Sequence, residues 1–470
     1  MKTKLLRNKL ALVVGLSVAL LGVPASPAPG KAMVASPMAY SESLGGPFTV
    51  TAQKLIAAPG EASGWNLMMA QPASAGDVVF EWNQEAVRLT LLTSSNLAPV
   101  QQTRTMAIVQ VAMHDAVNGI TRKFQTYLES NPASGNASPD AAAIAAAHHA
   151  LRNLFPTHVA SLDTMFLASL AAHGLSVNDP GVGYGQSAAA AILALRATDG
   201  AAVAQYPYTA PGAGNPGVWV PLTTAPALLP GWGNVTPWVL RSGSQFRPEA
   251  PPALDSEQYA RDYNEIKEIG ALNSTTRTAE QTRIATFWLA SPTPIWNQPL
   301  TQLVASQDFD LSTRTRIYAL VHLAAADASI ACWDAKYAYN FWRPQPAIRR
   351  GDEDGNNATT ADPMWTPLFA TPRHPEYPSG HTANSTAMAT ILELFFGDAP
   401  GIPVTSTVGT ITRQWDTFGE GLDEVIEARI YSGIHFRTAD EVGSRQGRQV
   451  ARFVLTHALR PCRKGGSRCS

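Results

Sequence analysis

Cysteine, charge and strand-like alternation are all scarce in this sequence, and each shortage narrows what the protein can be. Three cysteines in 470 residues leave room for at most one bridge within the chain. Cys462 and Cys469 lie close together in a basic tail and could pair in an oxidising compartment or stay free. Cys332 sits in an apolar helical stretch and reads as buried filler. Charged residues are only 15 % of the chain, with 35 Lys and Arg against 36 Asp and Glu. That balance gives no electrostatic case for nucleic acid or an anionic membrane as partner, so a site for a multiply charged anion has to come from local clustering. Beyond the N-terminus no segment has the uncharged apolar run of ~18 residues that a spanning helix needs, and the mature protein is expected to be soluble. Alternating apolar and polar positions are nearly absent, whereas Ala, Leu, Val and Met recur at helical spacing, so the fold class expected is all-α.

The N-terminus reads as an address. Lys2, Lys4, Arg7 and Lys9 precede an apolar run from Leu10 to Val23 and then Pro24-Ala25-Ser26, the layout of a secretory signal peptide cut near Ala25. The expected organisation is a signal peptide over 1–25, an irregular lead-in over 26–76, one helical bundle over 77–235 and a second over 236–470. The destination implied is secreted or periplasmic. Helical texture covers Val79–Thr93, Thr103–Ile120, Pro139–Leu154, Val159–Ala172 and Ser187–Ala197. It returns at Ser256–Ile269, Ala279–Leu289, Leu311–Asn340, Thr382–Phe396, Thr405–Tyr431 and Ala439–His457. Pro207 to Ala253, dense in Pro, Gly and Trp, reads as a long irregular connection. A faint repeat aligns the segment from Arg104 to Ala116 with that from Arg316 to Ala328, which suits a pair of related bundles. Ala-rich helical surfaces also admit a homodimer.

Three segments carry chemistry. In Lys336-Tyr-Ala-Tyr-Asn-Phe-Trp-Arg343-Pro344 the two cations stand seven residues apart, two turns on one helix face. Pro344 is expected to end that helix with Arg343 on its last turn. In His374-Pro-Glu-Tyr-Pro-Ser379-Gly380-His381 a hydroxyl, a glycine and a histidine open a helix, where free N–H groups and the positive dipole receive oxyanions. Gly380 would let the backbone approach a ligand, and His381 is poised for acid–base work. Arg429-Ile-Tyr-Ser-Gly-Ile-His435 adds a third cation and a second histidine. Read singly, each admits a plainer role, as a solvated face, a capping turn or a structural histidine. His114 and Asp115 have no cations beside them and read as structural.

Taken in order, Lys-x6-Arg-Pro, Pro-Ser-Gly-His and Arg-x5-His resemble the signature of the superfamily that joins vanadium haloperoxidases with phosphatidic-acid-phosphatase-like acid phosphatases. The stretches Val79-Phe-Glu-Trp-Asn, Val111-Ala-Met-His-Asp-Ala-Val-Asn and Trp333 to Pro344 look like the secreted bacterial haloperoxidases in particular. The resemblance implies an all-helical fold of two four-helix bundles with long irregular connections. It implies vanadate as cofactor, with Lys336, Arg343, Ser379, Gly380 and Arg429 around its oxygens and His435 bonded to the metal. His381 would move a proton, Lys336 would polarise, and the partners would be hydrogen peroxide, halide and a small organic acceptor. Trp333 and His374 fall where the family places residues near the halide. A histidine at the latter position resembles bromide and iodide users, so bromide is expected before chloride. The same residues would also support phosphoester hydrolysis through a phosphohistidine on His435, or phosphate and vanadate binding without turnover.

Two departures from the family pattern stand out. Relatives carry an acid shortly after a Tyr/Phe-Trp pair, where it partners the arginine matching Arg429, but the stretch here reads Phe287-Trp-Leu-Ala-Ser291. Many also place Asp four residues after the liganding histidine, where this chain has Ala439 followed by Asp440. Partners for Arg429 and His435 are therefore left open by the sequence.

Overall fold

The computed structural model describes residues 76–128 and 133–462. The expected signal peptide, nearly all of the lead-in and Cys469 lie outside them. Helices begin where the sequence supplies caps. Asp77 accepts from Val79 and Phe80 N–H and starts α1 (Val78–Leu91), and Ser138 and Asp179, each followed by proline, start α3 (Pro139–Leu154) and α5 (Pro180–Arg196). Side-chain oxygen ahead of a proline at the first helical position satisfies orphan N–H groups and presets φ. Between them run α2 (Pro99–Thr121) and α4 (Val159–Ala172). In the second half come α6 (Glu257–Ile269), α7 (Ala279–Phe287), α8 (Pro292–Ala305), α9 (Leu311–Tyr339), α10 (Pro344–Arg349) and α11 (Gly380–Phe396), then α12 (Phe418–Tyr431) and α13 (Arg437–His457).

The all-helical reading holds with one local correction. Thr405 to Trp415 is not helical: β1 (Val404–Val408) and β2 (Ile411–Trp415) form an antiparallel hairpin, Val408 opposite Ile411. Its two-residue loop is Gly409-Thr410, with Gly409 at φ 57°, a backbone that glycine adopts without penalty. A helix the periodicity had not indicated, α8, starts on Pro292 and holds Pro299 inside it. Between α5 and α6 there are only short 3-10 turns, as the Pro- and Gly-rich composition required, and the division expected at 235 falls within this stretch.

Helices α2, α3 and α5 pack together, as do α9, α11 and α13, and α2 lies against α9. One apolar cluster runs through both groups, including Ile108, Ala143, Leu320, Ile391 and Val450. Ala141 through Ala147 are fully enclosed, and such small side chains let helices approach closely. Among the described residues no helix is long and apolar enough to cross a membrane. Cys332 is a free buried thiol and Cys462 is in a disulfide.

The repeat has a physical counterpart. Asp115 on α2 accepts from the N–H groups of Tyr127 and Leu128, and Asp327 at the equivalent place on α9 accepts from those of Trp238, Val239 and Leu240. Each buried carboxylate pins an irregular segment to its central helix, offering acceptors that an apolar side chain lacks. His114 belongs to the same device. Its Nε2 meets the Gln125 carbonyl at 3.0 Å and its Nδ1 meets the Asn118 amide at 3.2 Å, contacts that suit the neutral ring. Burial lowers its pKa to about 4. Between that value and the unfolded value near 6.5 only the unfolded chain takes the proton, so stability is lost as pH falls through this window, by up to about 3 kcal/mol. The thermal midpoint should therefore drop more steeply between pH 6.5 and 4 in the wild type than in His114→Gln. Equal slopes would show that His114 is not the group responsible.

Candidate functional site

Helix α9 stops at Tyr339 because Asn340 turns left-handed, at φ 49°, a conformation asparagine tolerates better than most residues. Lys336 stays in the last turn. Arg343 does not share its helix, contrary to expectation. It is extended (φ −83°, ψ 159°) and caps α10, with Pro344 as the first residue of that helix. The ring of Pro344 disfavours helical backbone in the residue before it, so proline opens a helix here where it was expected only to close one.

Both cations are fully enclosed and both grip one loop. Lys336 Nζ donates to the carbonyls of Pro375 (2.9 Å), Glu376 (2.8 Å) and Pro378. Arg343 Nε donates to the His374 carbonyl at 2.9 Å and its Nη1 to that of Ile434 at 2.8 Å. Burial draws the Lys336 pKa down to about 7, while three carbonyl acceptors require three N–H bonds and so favour the ammonium form. In this arrangement all three donors of Lys336 serve residues 375–378, so a bound anion would have to take one of them over.

The partner of His435 is Glu376. Its Oε1 accepts from His435 Nδ1 at 2.9 Å and from the Phe436 N–H at 2.9 Å. Burial, then the charges of Arg343 and Lys336, pulls the His435 pKa well below its usual value. The ring is thus neutral, with Nδ1 as donor and Nε2 as acceptor, and Nε2 faces Arg343 Nη1 at 3.0 Å. Burial raises the Glu376 carboxyl to about 8 against the pull of Arg343 and Lys336. A carboxylate behind an imidazole fixes its tautomer and orientation, and losing one typically costs 10- to 100-fold in metal affinity. If the site takes the vanadate that the sequence resemblance implies, Glu376→Ala should weaken its retention by about that factor, read by dialysis and metal analysis, and Glu376→Gln by less. Wild-type retention in the alanine variant would remove Glu376 from the site. The sequence signal was present, since Glu376 is the one acid between His374 and His381.

Helix α11 brings Ser379, Gly380 and His381 to the same place. Its start is pressed against α13, where a Cβ on Gly443 would lie 2.5 Å from the Ser379 carbonyl and one on Gly447 would lie 2.1 Å from that of Ala383. Ser379 caps α11 by position, yet its hydroxyl makes no capping bond. It stands beside Asp440 instead, where the two groups approach without a well-formed hydrogen bond. Burial pushes the Asp440 carboxyl well above its usual pKa, opposed first by the Ser379 hydroxyl and also by the charge of Arg429. Arg429, in the last turn of α12, donates through Nη1 to the Trp288 carbonyl at 2.7 Å. His381 Nε2 meets the Ala290 carbonyl at 3.2 Å. The stretch where an acid was missing from the sequence thus acts through its carbonyls, and Asp440 lies within the field of Arg429.

Trp333, His374, Gly380, His381 and His435 line one small cavity of ≈ 30 Å³, room for little more than a water molecule. The rings of Trp333 and His374 are 4.8 Å apart, and Arg343 Nη2 reaches His374 Nδ1 at 3.0 Å. Gly380 also has a packing use that the sequence did not show. A Cβ there would come within 3.1 Å of the Trp333 ring, so glycine makes room for tryptophan. Lys336, Arg343, Ser379 and Arg429 are not among the residues that line this cavity.

Three buried cations face two buried acids whose pKa values are raised, beside a neutral histidine and a serine hydroxyl lacking a well-formed bond. Such a cluster has an excess of donors and positive charge, and a small oxyanion satisfies both. Ligation at His435 Nε2 requires that Arg343 Nη1 leave it, which frees that guanidinium N–H for an oxyanion oxygen.

Residues 316–464 match the family described as VCPO second helical-bundle domain. The vanadium chloroperoxidase of Curvularia inaequalis is 24 % identical over 205 residues, 37 % of this chain and only 33 % of that protein's length. The chain therefore spans about a third of this curated relative. A bacterial vanadium-dependent iodoperoxidase has a similar fold, with TM-score 0.72 and 24 % identity over 82 % of this chain and 97 % of the other. The holo-type bacterial vanadium-dependent chloroperoxidase aligns with TM-score 0.62 and 19 % identity, over 82 % and 99 % of the two chains.

Proposed function

Because residues 316–464 belong to the VCPO second helical-bundle domain family and the chain has the fold of the bacterial vanadium-dependent haloperoxidases, we propose that it is a vanadate-dependent haloperoxidase. It oxidises halide, bromide before chloride, with hydrogen peroxide, and passes hypohalous acid to a small organic acceptor in a secreted or periplasmic setting. The observation that carries this reading is the neutral His435, held by Glu376 from behind and by Arg343 in front.

When bound, vanadate supplies a Lewis-acidic centre that activates peroxide without changing its oxidation state. His435 would hold the metal through Nε2. Arg343, Arg429, Lys336, the Ser379 hydroxyl and the Gly380 N–H would neutralise and orient its oxygens. His381, with Nε2 bound to the Ala290 carbonyl, keeps Nδ1 as the acceptor that takes the peroxide proton. The buried walls around Trp333 exclude water from the reacting oxygen. His374, at the place where chloride users carry an aromatic ring, supports the preference for bromide.

Recombinant protein loaded with orthovanadate should brominate an acceptor dye only when peroxide and vanadate are both present, with chloride turned over more slowly. Absence of bromination, together with phosphomonoester hydrolysis by vanadate-free protein, would replace this reading by the acid phosphatase. Vanadate binding without either activity would make the protein an oxyanion-binding relative.

A further inference from the structure

A second cavity, separate from the small one at His435, also gathers charged groups. It has a volume of ≈ 440 Å³ and is lined by Arg104, Thr105, Phe155, Arg196, Asp199 and Trp232, among others. A volume in the range of several hundred cubic ångströms with a few convergent polar groups is typical of small-molecule sites. Its charges do not cancel. Asp199 Oδ2 is 2.7 Å from Arg104 Nε and 2.8 Å from Arg196 Nη2, so one carboxylate oxygen serves two guanidinium groups and one positive charge is left over. Arg196 is 2 % exposed, and its Nε has no hydrogen-bond partner. Arg104, partly exposed, uses Nε on Asp199 and Nη2 on the Arg196 carbonyl at 2.6 Å, and its Nη1 has no protein partner among the described residues. Phe155 and Trp232 add buried aromatic surface. The internal repeat does not account for this arrangement, because Arg316, the counterpart of Arg104, donates to the Leu459 carbonyl.

We propose that this cavity binds a small aromatic carboxylate. One surplus guanidinium charge suits a monoanion, and the planar fork of Arg104 suits a carboxylate. The apolar walls take a ring, which a purely polar anion does not supply. The two cavities share a wall. Pro99 and Val100 of the first turn of α2 line the small cavity, while Gln101, Arg104 and Thr105 line the large one, and Leu228 and Trp232 are divided in the same way. A carboxylate at Arg104 therefore sits across one helix from His435 without entering that site.

Calorimetric titration of the full chain with benzoate, and with benzamide as its neutral counterpart, tests this without vanadate or peroxide. Benzoate should bind saturably at millimolar concentration, with benzamide about tenfold weaker or worse. Arg104→Gln should weaken benzoate by about tenfold, and Ala202→Trp should block the cavity, since Ala202 is an exposed lining residue where the larger ring need not be packed inside. Saturating orthovanadate should leave benzoate binding unchanged. Failure of the wild type to bind, wild-type affinity in Arg104→Gln, or competition by vanadate would each overturn the assignment. None of these outcomes depends on whether the protein is a peroxidase.

Discussion

His435→Ala is expected to lose vanadate on dialysis under conditions where the wild type keeps it, and halide oxidation should fall to background with it. The expectation follows from the protonation of the ring. Nδ1 is committed to Glu376 at 2.9 Å, the pKa is pushed well down by burial and by the Arg343 and Lys336 charges, and Nε2 is the nitrogen left with a lone pair. Among the described residues no other histidine of the cluster is held by a carboxylate, so removal of the ring removes the nitrogen best oriented to ligate a metal. The loss should exceed the 10- to 100-fold that outer-shell substitutions cause. The alanine variant also takes the imidazole from Glu376 in the interior, and a buried polar group that loses a hydrogen-bond partner destabilises the fold. His435→Asn separates the two effects. Its amide N–H can take the place of Nδ1–H toward Glu376, while nothing replaces Nε2. It should fold like the wild type and still fail to retain vanadate. Stoichiometric retention in a folded asparagine variant would reject His435 as the ligand.

What the sequence made legible was residue type and spacing, and what it hid was direction. Lys336, Arg343, Ser379, His381, Arg429 and His435 were recognisable as a set, and they do gather, because helix termini and glycine contacts bring their three segments together. Glu376 was visible inside the same segment, but its partner lies 59 residues further on, and no local pattern joins a carboxylate to a histidine at that distance. The helix-face argument for Lys336 and Arg343 failed at Asn340, where a left-handed residue ends the helix. The proline rule that makes Arg343 extended was a better guide than periodicity. Helix α8 is rich in proline, with Pro292 and Pro294 in its first turn and Pro299 inside it, and proline ordinarily ends helices, so its periodicity gave no signal. The hairpin was too short to alternate visibly. Conversely, the faint repeat was a sound signal, since Asp115 and Asp327 perform the same task on α2 and α9.

The acids that seemed to be missing illustrate the same limit. Without an acid near Ser291, Arg429 looked like a buried charge with nothing to offset it, yet a main-chain carbonyl meets it at 2.7 Å. Backbone acceptors are independent of side-chain identity, so a sequence comparison that looks for an aspartate overlooks them. Asp440, one position later than the family pattern, still enters the cluster from the first turn of α13, beside Ser379 and within the field of Arg429.

His381→Ala should leave vanadate retention within a few-fold of wild type while turnover falls by about 10²- to 10⁴-fold, the usual contribution of a positioned acid–base group. His381 is 8 % exposed and lines the small cavity, so it can reach a bound peroxide, whereas Ser379 and Arg429 are not among the lining residues. Burial first, and then the Arg429 charge, keeps its pKa well below the usual value. The imidazole is consequently a neutral base at neutral pH. Its Nε2–H is held by the Ala290 carbonyl, which leaves Nδ1 to accept the proton. The retention measurement decides whether the loss is one of chemistry or of binding. A variant that brominates within about tenfold of wild type would mean that another group takes the proton. Lys336 is then the candidate, because burial draws its pKa down to about 7 and release of one carbonyl would free its nitrogen. Lys336→Met would in that case inherit the large loss of turnover that His381→Ala failed to show.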